Sequence, residues 1–370
     1  MRKYQGIIFA YREEPELRTL TKQRTAASLP FCSRYRLIDF ALSSLRDAGV
    51  LDVGVIMQRD YQSLLDHISN GKVWDMTRRS GGLRMLPPFG LPQYHTGDYN
   101  GTMEALNAVR SYIADCPAND IILMLGSVVA NIDLSAAIKA YEQSGADALA
   151  ICMDHVPAGK SHRYVVGEDG LVKAQHLYRE GECEGVPSLE AYIFRKDTLL
   201  TMMERCDEKH EYLFHKDGMA GFLREGQKMA VYVHPGYAKR VRTVDDYYNC
   251  NLDMLDTAKR HQLFPKERPV LAKRHEDAST YYGENARSVN SLVGDLCIIE
   301  GDIENCIIFS GVHIAKGAKL RNCIIMKGSD VGEGCDLSYV IADKSCKFSA
   351  GTQLVGSPKL PNLIPKGTEI

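Results

Sequence analysis

Residues 6–40 read GIIFAYREEPELRTLTKQRTAASLPFCSRYRLIDF. Gly6 to Phe9 is a short apolar run of the kind that forms a buried strand. From Arg34 to Gly49, residues Leu37, Ile38, Ala41, Leu42, Leu45 and Ala48 recur at helical spacing and predict a helix. The stretch between them is the first β–α connection, which in a doubly wound α/β sheet is where phosphates are held. Such a loop needs glycines, so that backbone N–H groups can converge on an anion, and positive charge to hold it. Here Tyr11 and Arg12 put side chains where the backbone would approach, and Pro15 deletes one N–H. Glu13, Glu14 and Glu16 add carboxylates. A carboxylate about 4 Å from a phosphate costs about 4 kcal/mol at an effective dielectric of about 20. Either these acids face the ligand or they face solvent and the loop is a linker. Both readings leave no good triphosphate cradle.

The chain has 370 residues, enough for two domains. Its 45 Lys and Arg nearly balance 47 Asp and Glu, which argues against a nucleic-acid surface or a membrane electrostatic anchor. Eleven cysteines are scattered without C-x-x-C spacing, several inside apolar runs (Cys152, Cys297, Cys306, Cys323). They read as small buried hydrophobes in a reducing compartment. The polar N-terminus lacks a signal-peptide core, and Ile121 to Ala130 is too short to span a bilayer. A cytoplasmic protein is expected.

Beyond the first helix, Val53 to Met57 predicts a buried strand ending at Gln58, and Tyr61 to Ile68 a helix. Residues 70–98 are rich in Gly, Pro and Arg and read as a long connection carrying Arg78, Arg79 and Arg84. Thr102 is expected to cap a helix running to Ala114, with Gly101 allowing close backbone approach. Further strands are predicted at Ile121–Leu125, Asp147–Cys152 and Met229–Val233, with β segments between 160 and 195. Helices are predicted at Leu134–Ser144 and Tyr212–Glu225. Residues 1–256 therefore read as one α/β domain with a mixed, mostly parallel sheet. Residues 257–287, charged and punctuated by Pro265 and Pro269, read as a linker. From 288 to 370 a period of 17 aligns Ile303, Leu320, Leu337 and Leu354, and likewise Ile314, Val331 and Phe348. Gly317, Gly334 and Gly351 fall on the same repeat. That is about three hexapeptides per coil, the signature of a parallel β-helix whose coils bury an apolar file by stacking.

This order of parts resembles the sugar-nucleotide pyrophosphorylases, and most closely the glucose-1-phosphate adenylyltransferase (ADP-glucose pyrophosphorylase) family. That family's opening reads roughly A-G-G-x-G-T-R-L-x-x-L-T, then R-x-K-P-A-V and R-I-I-D-F. The chain keeps the frame in Ala10, Leu17, Leu20, Thr21, Arg24 and Arg36-Leu37-Ile38-Asp39-Phe40. The resemblance implies a Rossmann-like nucleotidyltransferase domain followed by a left-handed β-helix. It also implies that functional letters have been lost. The glycine pair is Tyr11-Arg12, the third glycine Glu14, and the phosphate-binding lysine Ala26. The family's G-D-H, whose aspartate binds the catalytic Mg²⁺, is Gly126-Ser127-Val128. Its second metal-binding aspartate falls on Arg240 and a nearby glycine on Arg242. A hydroxyl is a poor ligand for a hard cation, and a guanidinium is none. No catalytic residue is therefore intact, and no metal is expected on this chain.

The resemblance marks Gln58, Gly101, Thr102, Arg179 and Glu190 as a vestigial nucleotide or sugar-phosphate pocket. Gln58 falls where a glutamine contacts adenine, Arg179 is placed to stand in for the sugar-phosphate lysine, and Glu190 replaces a glycine lying against the sugar. Gln58 also has a plain alternative, a strand-end polar residue that caps a loop. Lys22, Arg24, Arg34 and Arg36 are candidates for a phosphorylated effector, or an ordinary basic surface. The implied protein resembles the GlgD type: a diverged regulatory subunit pairing with an active GlgC-type subunit, with a hetero-tetramer expected and a homo-oligomer possible alone. Mg²⁺ is then expected only at the partner. Two other readings stay open. One is a working nucleotidyltransferase that recruits its metal through Asp98, Glu104 or Asp133. The other is a module that senses a sugar phosphate or nucleotide without chemistry.

Overall fold

The structure, a computed structural model, describes residues 3–11, 14–78, 81–87, 99–157, 159–178, 184–273 and 278–370. Arg12, Glu13, Arg79, Asp98 and Arg179 lie outside the described residues.

The N-terminal part is built on a nine-stranded sheet. Tyr4–Phe9 lies parallel between Val53–Ile56 and Asp120–Leu125, and its apolar residues are almost wholly buried, as a central strand requires. Val186–Arg195 runs antiparallel beside Asp120–Leu125 and also pairs with Ala148–Met153, which makes the sheet mixed. Helices Leu134–Ser144 and Lys196–Glu208 bury one face each, and Ile38–Asp47 is buried all round from Ile38 to Leu45. Leu134–Ser144 has the predicted bounds; Asp133 caps it by accepting from Ala136 N–H at 2.9 Å.

Several local expectations need correction. The first helix begins at Ile38, because Tyr35–Arg36 pairs instead with Pro30–Phe31 as a short hairpin. Asp39 at its start accepts from Arg36 N–H (2.9 Å) and pairs with His67 (2.5 Å), placing a carboxylate at the positive end of the helix. The stretch read as a long connection holds a parallel edge strand, Leu83–Leu86, and the fully buried Trp74. Arg84 lies over the Tyr112 ring at 5.4 Å. Thr102 is the first helical residue, not the cap, and the helix breaks into Thr102–Ala108 and Arg110–Asp115. The stretch read as Tyr212–Glu225 opens with a π-helical turn, Phe214–Met219, before Ala220–Arg224. The stretch read as linker starts with the helix Thr257–Leu263 and carries Tyr281–Tyr282, the first strand of the next structure.

That next structure is a parallel β-helix with three five-stranded faces. Ile303, Leu320, Leu337 and Leu354 stack in register, as do Ile314, Val331 and Phe348. Gly317, Gly334 and Gly351 turn the coils at φ of 72°, 66° and 76°, a left-handed backbone that glycine adopts without Cβ cost. The cysteines of the coils are buried, consistent with small apolar packing.

The two parts share a core. Leu17, Leu20, Phe31, Phe40, Tyr247 and Val241 pack with Ile307, Ile324 and Ile341 of the β-helix. The segment expected to make a poor phosphate cradle takes part in this packing: Pro15–Thr21 winds into 3₁₀ turns and buries Leu17 and Leu20 completely. Tyr248 Oη donates to the Asn322 carbonyl at 2.7 Å. Arg24, buried, pairs with Asp343 of the β-helix and donates Nε to the Leu20 carbonyl at 3.0 Å.

Candidate functional site

Ser127 and Arg240 meet at the carboxyl end of the central strands. After Asp120–Leu125 the chain turns through Gly126-Ser127 into Val128–Ala130, which pairs antiparallel with Ala238–Arg240 and sets Arg240 opposite Val128. Ser127 is buried, and its Oγ has no hydrogen-bond partner among the described residues. The Arg240 guanidinium lies between two carboxylates. Its Nη1 donates to Glu190 Oε1 at 2.9 Å and its Nη2 to Glu14 Oε1 at 3.2 Å. The three side chains are 8–11% exposed.

Glu190 sits in a bulge of Val186–Arg195, between the register shifts at Ser188 and Ala191, with φ of 57°. A non-glycine residue in that region carries about 1–2 kcal/mol of strain. The backbone thus keeps a glycine-like conformation while the side chain is a carboxylate. Arg240 compensates it on one oxygen, and His215 Nε2 meets the other at 3.1 Å. The His215 ring stacks on His162 with centroids 3.5 Å apart and 9° between planes.

This cluster stands between two clefts. One, about 630 Å³, is walled by Phe9, Tyr11, Tyr99, Tyr192 and Phe214, and Gln58, Gly101, Thr102 and Glu190 reach it together. Tyr11 stands edge-on to Tyr99, centroids 5.2 Å apart, so aromatic rings wall this end of the cleft. The other, about 600 Å³, is lined by Lys160, Lys239, Arg242, Asp245 and Asp253 among others. His162 and Glu190 line both. Ala26 is buried beside a small cavity with Glu14 and Gln58. Gly101 has no room for a Cβ, which would lie 2.1 Å from the Tyr212 carbonyl oxygen; Met103 N–H donates to that oxygen at 3.0 Å. Its close approach serves the fold.

The donors at this place do not fit Mg²⁺. Such an ion wants near-octahedral oxygen ligands and keeps several waters. Ser127 is neutral, Arg240 is a cation, and that cation takes one oxygen of Glu14 and one of Glu190. Among the described residues, the larger cleft can hold an uncharged or weakly charged group against its aromatic walls.

The basic candidates separate. Arg34 and Arg36 line a third cleft of about 480 Å³ between the α/β part and the β-helix, with Lys273, Lys327 and Lys344. Sequence reasoning missed those three lysines, which come together only through the docking of the β-helix. Burial, with Arg36 and Arg24 nearby, pushes the Lys344 ammonium down to about 8. Arg24 does not line this cleft, because Asp343 holds it in the interior. Lys22 is exposed and lies outside it. His162 and His215 were also missed: they are 53 positions apart in sequence, and no spacing rule joins them.

A nucleotidyl transferase family model matches residues 13–257, and a GlmU-like C-terminal hexapeptide model matches residues 272–359. The chain is 31% identical over 362 residues to the glycogen biosynthesis protein GlgD of Bacillus subtilis (strain 168), covering 98% of this chain and 95% of that one. It is 31% identical to a glucose-1-phosphate adenylyltransferase of Clostridium beijerinckii, covering 94% of this chain and 93% of that one. Against the same enzyme of Clostridium perfringens (strain 13 / Type A) the identity is 28%, over 85% of this chain and 80% of that one. The α/β part with its mixed sheet is a nucleotidyltransferase domain, and the stacked coils are a left-handed β-helix. With the match running almost end to end through both, the chain belongs to the glucose-1-phosphate adenylyltransferase (ADP-glucose pyrophosphorylase) family of nucleotidyl transferases.

Proposed function

We propose that this chain is a regulatory, catalytically silent subunit of ADP-glucose pyrophosphorylase, acting in glycogen synthesis in the cytoplasm. Its partner is an active GlgC-type subunit that makes ADP-glucose from ATP and glucose 1-phosphate, and Mg²⁺ works at that partner. The observation that carries the reading is Arg240, largely covered and held between Glu14 and Glu190 where the family places a metal-binding aspartate. A bound metal supplies several kcal/mol of transition-state stabilisation. At about 1.4 kcal/mol per tenfold, its loss removes several decades of rate. The likeness to a protein named for glycogen biosynthesis supports the pathway. Among the described residues no helix is long and apolar enough to cross a membrane.

The regulatory part of the reading draws on the cleft of Arg34, Arg36, Lys273, Lys327 and Lys344. Five cations against the two carboxylates of Asp66 and Asp295 leave an excess of positive charge, the chemistry that a phosphorylated metabolite answers. The cleft joins the two parts of the chain, so a ligand in it would shift their packing. The test is a paired assay. The chain alone forms almost no ADP-glucose with Mg²⁺, and adding it to the active subunit changes turnover or effector affinity. An active subunit that neither binds the chain nor responds to it refutes the proposal.

A further inference from the structure

We propose that His162, Glu190 and His215 form a binding site for a borderline divalent cation of the zinc class. One nitrogen from each ring and one carboxylate oxygen lie within 4.8 Å of one another. Two imidazoles and one carboxylate suit Zn²⁺, which takes nitrogen and oxygen ligands at about 2.0–2.2 Å in tetrahedral geometry. They do not suit a hard ion such as Mg²⁺. The site is therefore distinct in chemistry from the one lost at Ser127 and Arg240.

His215 is buried, and its Nε2 lies 3.1 Å from Glu190 Oε2, so one ring nitrogen and one carboxylate oxygen already face each other. The ligands come from three separate elements: the strand Ser161–Val166, the bulge of Val186–Arg195 and the π-helical turn Phe214–Met219. Such turns recur at functional sites. Arg240 on Glu190 Oε1 fixes the carboxylate from behind, the kind of outer contact that orients a metal ligand. His162 and Glu190 face both large clefts, so a fourth position would open to water or to a ligand.

One movement is required. The stacked rings, 3.5 Å apart and nearly parallel, point their nitrogen lone pairs in parallel planes. Ligand atoms of a tetrahedral Zn²⁺ site are about 3.4 Å apart. His162, the less buried of the two, must turn out of the stack to bring its nitrogen onto the ion.

The proposal stands apart from the silent-subunit reading, because its readout is metal binding and not turnover. The full chain is stripped with a chelator and titrated with Zn²⁺ against a competing indicator, then with Co²⁺, whose visible absorption reports tetrahedral coordination. One equivalent is expected, with a thermal upshift. His162→Gln and His215→Gln should each weaken binding at least tenfold, and Glu190→Gln likewise. Should His215→Gln fail to fold, His162→Gln carries the test, its side chain being only half-buried. No stoichiometric binding, or equal binding by wild type and His162→Gln, overturns the proposal.

Discussion

Arg240 and Glu190 are joined at 2.9 Å although 50 residues separate them. The two charges make sense only together. A buried guanidinium without Glu190 and Glu14 would be an uncompensated charge, and so would Glu190 without Arg240. Their cluster stands between the two larger clefts.

Breaking that cluster should cost stability. Arg240→Ala is expected to destabilise by about 3–5 kcal/mol, the usual penalty for stranding a buried charge. Arg240→Asp should be at least as costly, since it sets a third carboxylate beside Glu14 and Glu190. It should not restore ADP-glucose formation. Urea denaturation and a coupled pyrophosphate assay check the two halves.

At Glu190 the backbone and the side chain pull in opposite directions. Its φ of 57° favours glycine. Glu190→Gly and Glu190→Ala lose the same ion pairs, so their difference isolates the strain. The glycine variant should be the more stable by about 1 kcal/mol. Equal stabilities by denaturant titration would mean that the bulge relaxes.

Much of the frame was legible before any coordinates. The strand of Gly6–Phe9, the helix Leu134–Ser144 and the stacked files of the β-helix follow from periodicity alone. The 17-residue repeat was readable because apolar residues and glycines recur together. The early steps Arg287 to Asp302, Leu292 to Ile307 and Ile298 to His313 are 15 residues, and the last, Val340 to Asn362, is 22, so the period breaks near both ends. Leu83–Leu86 was hidden because a short edge strand holding Arg84 has no strong alternation. The site was legible only by subtraction. Ser127, Ala26 and Arg240 stood out as wrong letters in a familiar frame, but nothing in the sequence told that Glu14, Glu190 and Arg240 would neutralise one another. Pairing of that kind is set by the fold.

Arg24 and Asp343 tie the two parts of the molecule together in a dry environment, 5% and 2% exposed. Arg24→Met or Asp343→Ala alone should cost about 3–5 kcal/mol. Arg24→Met combined with Asp343→Leu should recover much of the loss, because apolar packing replaces both charges. A double-mutant cycle by chemical denaturation measures the coupling.

Lys344 gives a pH signature. Its folded-state value, about 8, lies below the ordinary 10.5 because of burial and the neighbouring arginines. Below pH about 8 the lysine is charged in both folded and unfolded chains, and the cost of burying that charge is fully present. Between about 8 and 10.5 only the unfolded chain holds the proton, so this group makes stability rise with pH. Wild type should gain on Lys344→Met across that window, read as the difference between their urea midpoints. A polyphosphorylated anion entering the cleft near pH 8 should draw a proton onto Lys344, seen as buffer-dependent heat in titration calorimetry.

The most direct test of the silent-subunit reading is turnover by the purified chain alone. With ATP, glucose 1-phosphate and Mg²⁺ at saturating concentrations, ADP-glucose formation should stay several decades below that of an active family member assayed beside it. Steady Mg²⁺-dependent synthesis at a comparable rate, by this chain free of any second subunit, would contradict the account.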